Sequence, residues 1–208
     1  DPLLDSVSKG FYEKGWRGVH VEPVPHYAEM LRRDRPDQNV LEMALSDSVG
    51  LLQLSLIPGT GLSTGVKAQA EEHRIKHGLE SRTIVVPTMP MRDAFASLNG
   101  QDVHWLKIDV EGMEGSVLPG WDSSRLRPCI LVVESTSPLS QDPTQEHWEH
   151  IVLAAGYQFA YFDGLNRFYV ANEHGELAQA LFAPPNVFDD VQLSGMSGPW
   201  CRLVNSKL

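Results

Sequence analysis

At 208 residues and 42% hydrophobic content, the chain can fill one well-buried domain and is short for two. Its 27 acidic against 17 basic side chains give a net charge of −10, which repels a nucleic-acid backbone and excludes DNA or RNA as an expected partner. No apolar run approaches the roughly 18–20 residues of a membrane span, the first residues are polar rather than a basic, apolar signal segment, and two cysteines make no disulfide framework, so the chain reads as cytoplasmic.

In chain order, Val7, Phe11 and Tyr12 at helical spacing predict a helix over 5–15, stopped by Gly15. Residues 16–22 form a short β-rich run that finishes in Glu22 and is stopped by Pro23. A carboxylate offers only acceptors, so at this place in a nucleotide-binding fold it takes both vicinal hydroxyls of a ribose; a solvated strand-end Glu is the alternative. Tyr27, Met30 and Leu31 predict a second helix over 25–33 that stops before Pro36. Residues 38–46 read as a third strand, running into Asp47, and 51–57 alternates well enough to pair antiparallel with 83–89. Residues 58–82 differ: Pro58-Gly59-Thr60-Gly61 gives way to the charged stretch 67–74, an excursion with a loop and a helix. It is read as a lid or insertion over the site, with a plain surface loop as the alternative.

The strongest chemical signal follows. Val103-His104-Trp105-Leu106-Lys107-Ile108 reads as a buried strand, and Asp109-Val110-Glu111-Gly112 then places two carboxylates where that strand enters a glycine-punctuated turn. In doubly wound sheets ligands sit in the crevice beyond such carboxyl ends; the competing reading makes Asp109 only the cap of a helix over 113–118. A further β-rich run over 127–134 again ends in an acid, Glu134, so three strands finish in carboxylates. Its Cys129 behaves as a small core hydrophobe. Asp142 and Pro143 read as the cap and first position of a helix whose buried stripe is Trp148, Ile151, Val152 and Ala155. Two last strands, 157–162 and 167–171, are joined by the hairpin signal Asp163-Gly164-Leu165-Asn166. This order predicts an α/β fold, three layers around a mainly parallel sheet with an antiparallel C-terminal hairpin.

Four stretches, Gly15-Trp16-Arg17-Gly18-Val19-His20-Val21-Glu22-Pro23, Ala44-Leu45-Ser46-Asp47, Leu106-Lys107-Ile108-Asp109-Val110-Glu111-Gly112 and Val132-Val133-Glu134, resemble the successive signatures of the FkbM family of S-adenosylmethionine-dependent methyltransferases. The hairpin 162–170 with the tail 183–190 is similar to members associated with polysaccharide and lipopolysaccharide assembly. The resemblance implies a class I, Rossmann-like fold in one methyltransferase domain over 1–208, and O-methylation of a sugar or polyketide hydroxyl. The family's first strand and glycine-rich loop would lie upstream of Asp1-Pro2, and the chain is expected to continue there.

Carried over position by position, the resemblance makes Glu22 the ribose ligand with Pro23 beside it, sets Asp1 on the cofactor side, and borders the adenine with Leu45, Ser46 and Asp47, although Asp47 beside Ser48 is also a turn former. Asp109 and Glu111 would face the sulfonium and the acceptor oxygen as catalytic groups, with Glu134, Asp163 and Asn166 on the acceptor; a turn-forming role competes for the last two. Sugar hydroxyls are very weak acids, so Mg²⁺ or another divalent cation held by Asp109, Glu111 and Glu134 would help deprotonate them. The histidines offer a rival base: His20 and His104 lie in strands, and His73 and His77 share a helical face in the lid. Implied partners are a small-molecule or glycan acceptor, a homo-oligomer, or a fusion to glycan-assembly domains. Two other classes stay open: a nicotinamide-dependent sugar oxidoreductase, which lacks here the Tyr-x-x-x-Lys pair that would move its proton, and a non-catalytic domain of a glycan-assembling protein.

Overall fold

The computed structural model describes residues 2–4, 6–186 and 188–189. Asp1, expected on the cofactor side, lies outside them, as do Asp5 at the start of the first expected helix, Cys201, and part of the tail 183–190. The chain divides into two compact units, one containing the chain up to Glu42 and the other Met43–Pro184. Among the described residues no helix is long and apolar enough to cross a membrane.

In the first unit, helix α1 (Val7–Glu13) is followed by strand β1 (Val19–Val21), helix α2 (Pro25–Asp34) and strand β2 (Asn39–Leu41), with β1 and β2 parallel, Val19 beside Asn39. Pro25 opens α2 because the first helical position needs no N–H, and Ala28 and Leu31 are buried on one face. Arg35, just past the end of α2, is completely buried. Its guanidinium donates to the Pro2 carbonyl at 2.9 Å and to the hydroxyls of Ser6 and Ser8 at 2.8 and 2.7 Å, which ties the N-terminal segment to α2.

The second unit carries two sheets. Strand β3 (Ala44–Ser46) is parallel to β5 (Arg82–Pro90), which pairs antiparallel with β4 (Gly50–Leu56) as the alternation predicts. The other sheet has the order β6, β7, β9, β8, formed by Val103–Ile108, Pro128–Glu134, Asn166–Ala171 and Tyr157–Phe162 respectively. Here β6 and β7 are parallel, and the C-terminal hairpin of β8 and β9 docks antiparallel on β7. The fold is thus mixed α/β with several sheets. Three parallel and three antiparallel ladders make it more mixed than the mainly parallel sheet the sequence suggests.

The run 38–46 is two strands rather than one. It breaks at Glu42-Met43 because β2 takes β1 as partner and β3 takes β5, in different sheets. The excursion 58–82 contains helix α3 (Lys67–His77), ended by Gly78 at φ 65°. The one-turn helix α4 (Met91–Ala94) precedes β6, and α5 (Glu114–Val117) follows it and runs into a 3-10 turn over Leu118–Gly120. Asp142 does not cap a helix. Pro143 bridges Thr136 in an extended pairing, Thr144 N–H donates to the Ser135 carbonyl at 2.9 Å, and the Asp142 carboxylate accepts from Ser140 at 2.6 Å. Helix α6 therefore starts only at Glu149 and ends at Ala154, after a 3-10 turn over Gln145–His147. Of the expected stripe, Trp148 and Val152 are buried in the core, Trp148 against Tyr169 of β9, while Ile151 and Ala155 are half-buried.

Candidate functional site

The parallel register that sets Ile108 beside Val133 brings the carboxyl ends of β6 and β7 together, and with them the next residues, Asp109 and Glu134. Glu111 joins them through a tight turn. Met113 N–H donates to the Val110 carbonyl at 3.3 Å, and the two residues between, Glu111 and Gly112, have φ of 50° and 87°, the sign pattern of a type I′ turn. Glycine suits the second position; a glutamate in the first is strained by about 1–3 kcal/mol and is held there by its surroundings. The result is that Asp109, Glu111 and Glu134 each offer an oxygen within 4.8 Å of the others.

What holds the turn comes from the excursion 58–82. The Thr64 hydroxyl, 1% exposed, donates to the Glu111 carbonyl at 2.8 Å, lies 3.0 Å from the Gln69 side chain of α3, and accepts the Val66 N–H at 3.0 Å. From the other side the buried Glu114 of α5 accepts the Val110 N–H at 3.3 Å. Helix α5 begins after Met113, so Asp109 is not its cap; its carboxylate instead takes the Lys107 ammonium at 2.5 Å.

Glu111 and Glu134 line a cavity of about 490 Å³ whose other walls are Leu62, Pro138, Leu139, Ser140, Gln141 and Leu165. Glu111 and Leu139, both on this cavity, are the non-glycine residues of positive φ among the described residues. Burial above all, then the charges of Asp109 and Glu114, push the Glu111 carboxyl from its ordinary 4.5 up to about 8. Glu134 is only 6% exposed and is raised for the same reasons, burial first and then Asp109, Glu111 and Glu114; Lys107 pulls the other way on both. Glu114 is raised by burial, partly offset by backbone N–H groups that favour its charged form.

Asn166, the first residue of β9, stands opposite Glu134 across the ladder. Asp163 is exposed and spends its carboxylate on the hairpin, accepting the N–H groups of Leu165 and Asn166 at 2.8 and 2.6 Å and the Asn166 amide N–H at 3.0 Å. The amide oxygen of Asn166 and one carboxylate oxygen each of Glu111 and Glu134 are buried with no hydrogen-bond partner among the described residues.

The residues expected at the adenine lie in the same unit. Leu45 and Ser46 are half-buried at the end of β3, and exposed Asp47 accepts from the Ser48 hydroxyl at 2.8 Å, the local turn geometry named as its alternative. This loop meets Gly120 so closely that a Cβ there would collide with the Ser46 carbonyl and stand 3.3 Å from the Cα atoms of Asp47 and Pro90. Glu22 and Pro23 belong to the first unit, half-buried at the end of β1. Val24 N–H donates to Glu22 Oε1 at 2.8 Å, which fixes the carboxylate, and burial raises its pKa.

Of the histidines, His20 bonds the Gln38 side chain and His104 is exposed on β6. His73 is 2% exposed and burial lowers its pKa, whereas His77, on the same helical face, is exposed. Sequence reasoning did not single out Thr64, Glu114, Lys107 or Leu139. Of these, Glu114 carries a readable signal, as a third acid three residues beyond Glu111.

Residues 2–159 match the family model described as the methyltransferase FkbM domain. No curated protein and no solved structure matches the chain. The matched stretch takes in β1 with Glu22, the loop after β3, and the acid-bearing ends of β6 and β7, well over half of the sequence, and the chain belongs to the FkbM methyltransferase family.

Proposed function

We propose that the protein is an S-adenosylmethionine-dependent O-methyltransferase that acts in the cytoplasm on a hydroxyl of a sugar or glycan, on a Rossmann-like class I scaffold. The observation that carries this reading is the clustering of Asp109, Glu111 and Glu134 at the carboxyl ends of parallel strands, the last two lining one cavity, in a chain of a methyltransferase family. The chain's own groups suit such a cofactor: the Glu22 carboxylate, oriented by Val24, offers acceptors to a ribose, and Leu45 with Ser46 offers a half-buried border to a purine. The cofactor would supply a methyl group already activated on a sulfonium.

The protein then has to align the acceptor and remove one proton. Leu62, Leu139 and Leu165 give the cavity apolar walls beside the acids. Asp109, steadied by Lys107, is the carboxylate that receives the hydroxyl proton, with Glu111 and Glu134 beside it.

The test is a pair of measurements on the full chain. Calorimetry should show binding of S-adenosylmethionine and S-adenosylhomocysteine but not NAD, with Glu22→Ala weakening it by about 1.5–3 kcal/mol through loss of a charged acceptor. With radiolabelled cofactor and a glycan extract, Asp109→Asn should lower turnover about 100-fold with the fold retained. Unchanged affinity in the first variant removes the ribose assignment, and parental turnover in the second removes the base.

A further inference from the structure

Four acids, Asp109, Glu111, Glu114 and Glu134, gather at one strand mouth, and among the described residues the basic side chain in contact with them is Lys107, at 2.5 Å from Asp109. Like charges at this spacing repel strongly in a buried setting, and one ammonium leaves the set well short of balance. An acidic cluster alone is common without a ligand. Here, however, Glu134 is 94% buried by its 6% exposure, lines the cavity, and has one carboxylate oxygen with nothing to accept from among the described residues. A buried acceptor of this kind is costly unless a donor or a cation meets it.

The facing rung adds a second oxygen of the same sort. Asn166 and Glu134 are direct partners in the antiparallel ladder, so their side chains leave the same face of the sheet. The orientation of the Asn166 amide is fixed chemically, because its NH₂ donates to the Asp163 carboxylate, an acceptor that could not bond the oxygen instead. Its oxygen is therefore the free end, buried and without a partner. Carboxylates with one neutral carbonyl oxygen, and no sulfur or imidazole, are the donor set of a hard divalent cation.

We propose that Asp109, Glu111, Glu134 and the amide oxygen of Asn166 form a binding site for one hard divalent cation, with its open coordination positions facing the cavity. The spacing fits: oxygens about 2.1–2.5 Å from a central ion lie roughly 3–5 Å from one another, and the three carboxylates stand within 4.8 Å. Lys107 occupies Asp109 Oδ2, which leaves Asp109 Oδ1 for the ion. The site exists independently of methyl transfer; that it would acidify an acceptor hydroxyl rests on the reading above.

The experiment omits S-adenosylmethionine, so that failure of cofactor binding and failure of the cation site are read apart. Metal-free full-length protein is titrated with Mn²⁺ and bound ion is followed by electron paramagnetic resonance, with Mg²⁺ and Ca²⁺ as competitors. One equivalent should saturate below about 1 mM. Glu134→Gln and Asn166→Leu should each weaken binding at least about tenfold, while the exposed-acid control Glu176→Gln leaves it unchanged. Folding of each variant is checked by circular dichroism, and the wild-type titration decides even where a variant misfolds. Absence of bound Mn²⁺ at millimolar concentration in folded wild-type protein overturns the site, as does equal weakening in Glu176→Gln and Glu134→Gln.

Discussion

Replacing Asp109 by Asn tests whether the strand-end acids share one electrostatic field. The substitution keeps the shape and removes one charge from a group whose oxygens lie within 4.8 Å of those of Glu111 and Glu134. At an effective dielectric of about 20, that separation corresponds to about 3.5 kcal/mol, or roughly 2.5 pH units on each neighbour. Asp109 is 36% exposed and already paired with Lys107, so screening reduces the expected shift to about one unit. Glu111 should then titrate about one unit below its value of about 8.

The sign of the stability effect is fixed by linkage. A carboxyl whose folded pKa is raised contributes stability that is fully present below its unfolded value near 4.5 and is lost as pH climbs toward about 8. Metal-free wild-type protein should therefore lose stability across this window, and Asp109→Asn should lose about 1.4 kcal/mol less from Glu111 by its upper end. Urea denaturation followed by tryptophan fluorescence at several pH values between 5 and 9 gives both curves. The loss of the Lys107 pair moves the variant's curve vertically without changing its slope. Curves that superimpose after such a vertical shift would refute the shared field.

Thr64→Val leaves the Glu111 carbonyl and the Val66 N–H without their buried partner, and should cost about 1–3 kcal/mol in denaturant titrations while Thr64→Ser stays near the parent; equal stability of Thr64→Val would show that the 58–66 segment does not hold the turn. Gly120→Ala drives a methyl into the Ser46 carbonyl and should cost about 1–3 kcal/mol, read as a lowered melting temperature, together with weaker S-adenosylmethionine binding through the displaced 45–47 loop; a variant of parental stability and affinity would contradict the close approach.

The strand-end acids were legible because their signal is local: an apolar run, a carboxylate, a glycine. The β4–β5 hairpin pairing and the buried stripe of Trp148 and Val152 were legible for the same reason, since period alone identifies them. What escaped depends on partners distant in sequence. Nothing within 38–46 says that Asn39–Leu41 pairs with β1 while Ala44–Ser46 pairs with β5, and the break at Glu42-Met43 follows only from that choice. Asp142-Pro143 carries every sign of a helix start, yet a bridge to Thr136 holds it extended. Thr64 lies in a polar loop like many others and gains its role from a turn 47 residues later. Asn166 was read correctly as a hairpin residue, but its free amide oxygen follows from a register no single strand reveals.

In the sheet order β6, β7, β9, β8 the hairpin attaches through its second strand, so the strand made last lies inside the one made before it. A ribosome must therefore deliver the chain through Ala171 before β7 gains its second neighbour. Until then the Ile130-Leu131-Val132-Val133 edge is open along one side, the kind of apolar strand edge that recruits other chains. The tight loop at Asp163–Asn166 shortens that exposure, because a local hairpin closes in about 1–10 μs and can dock as a finished unit. Synthesis halted before residue 166 would leave Glu134 without its facing rung and β7 with a sticky flank, so yield on expression should respond to lesions in this hairpin before activity does.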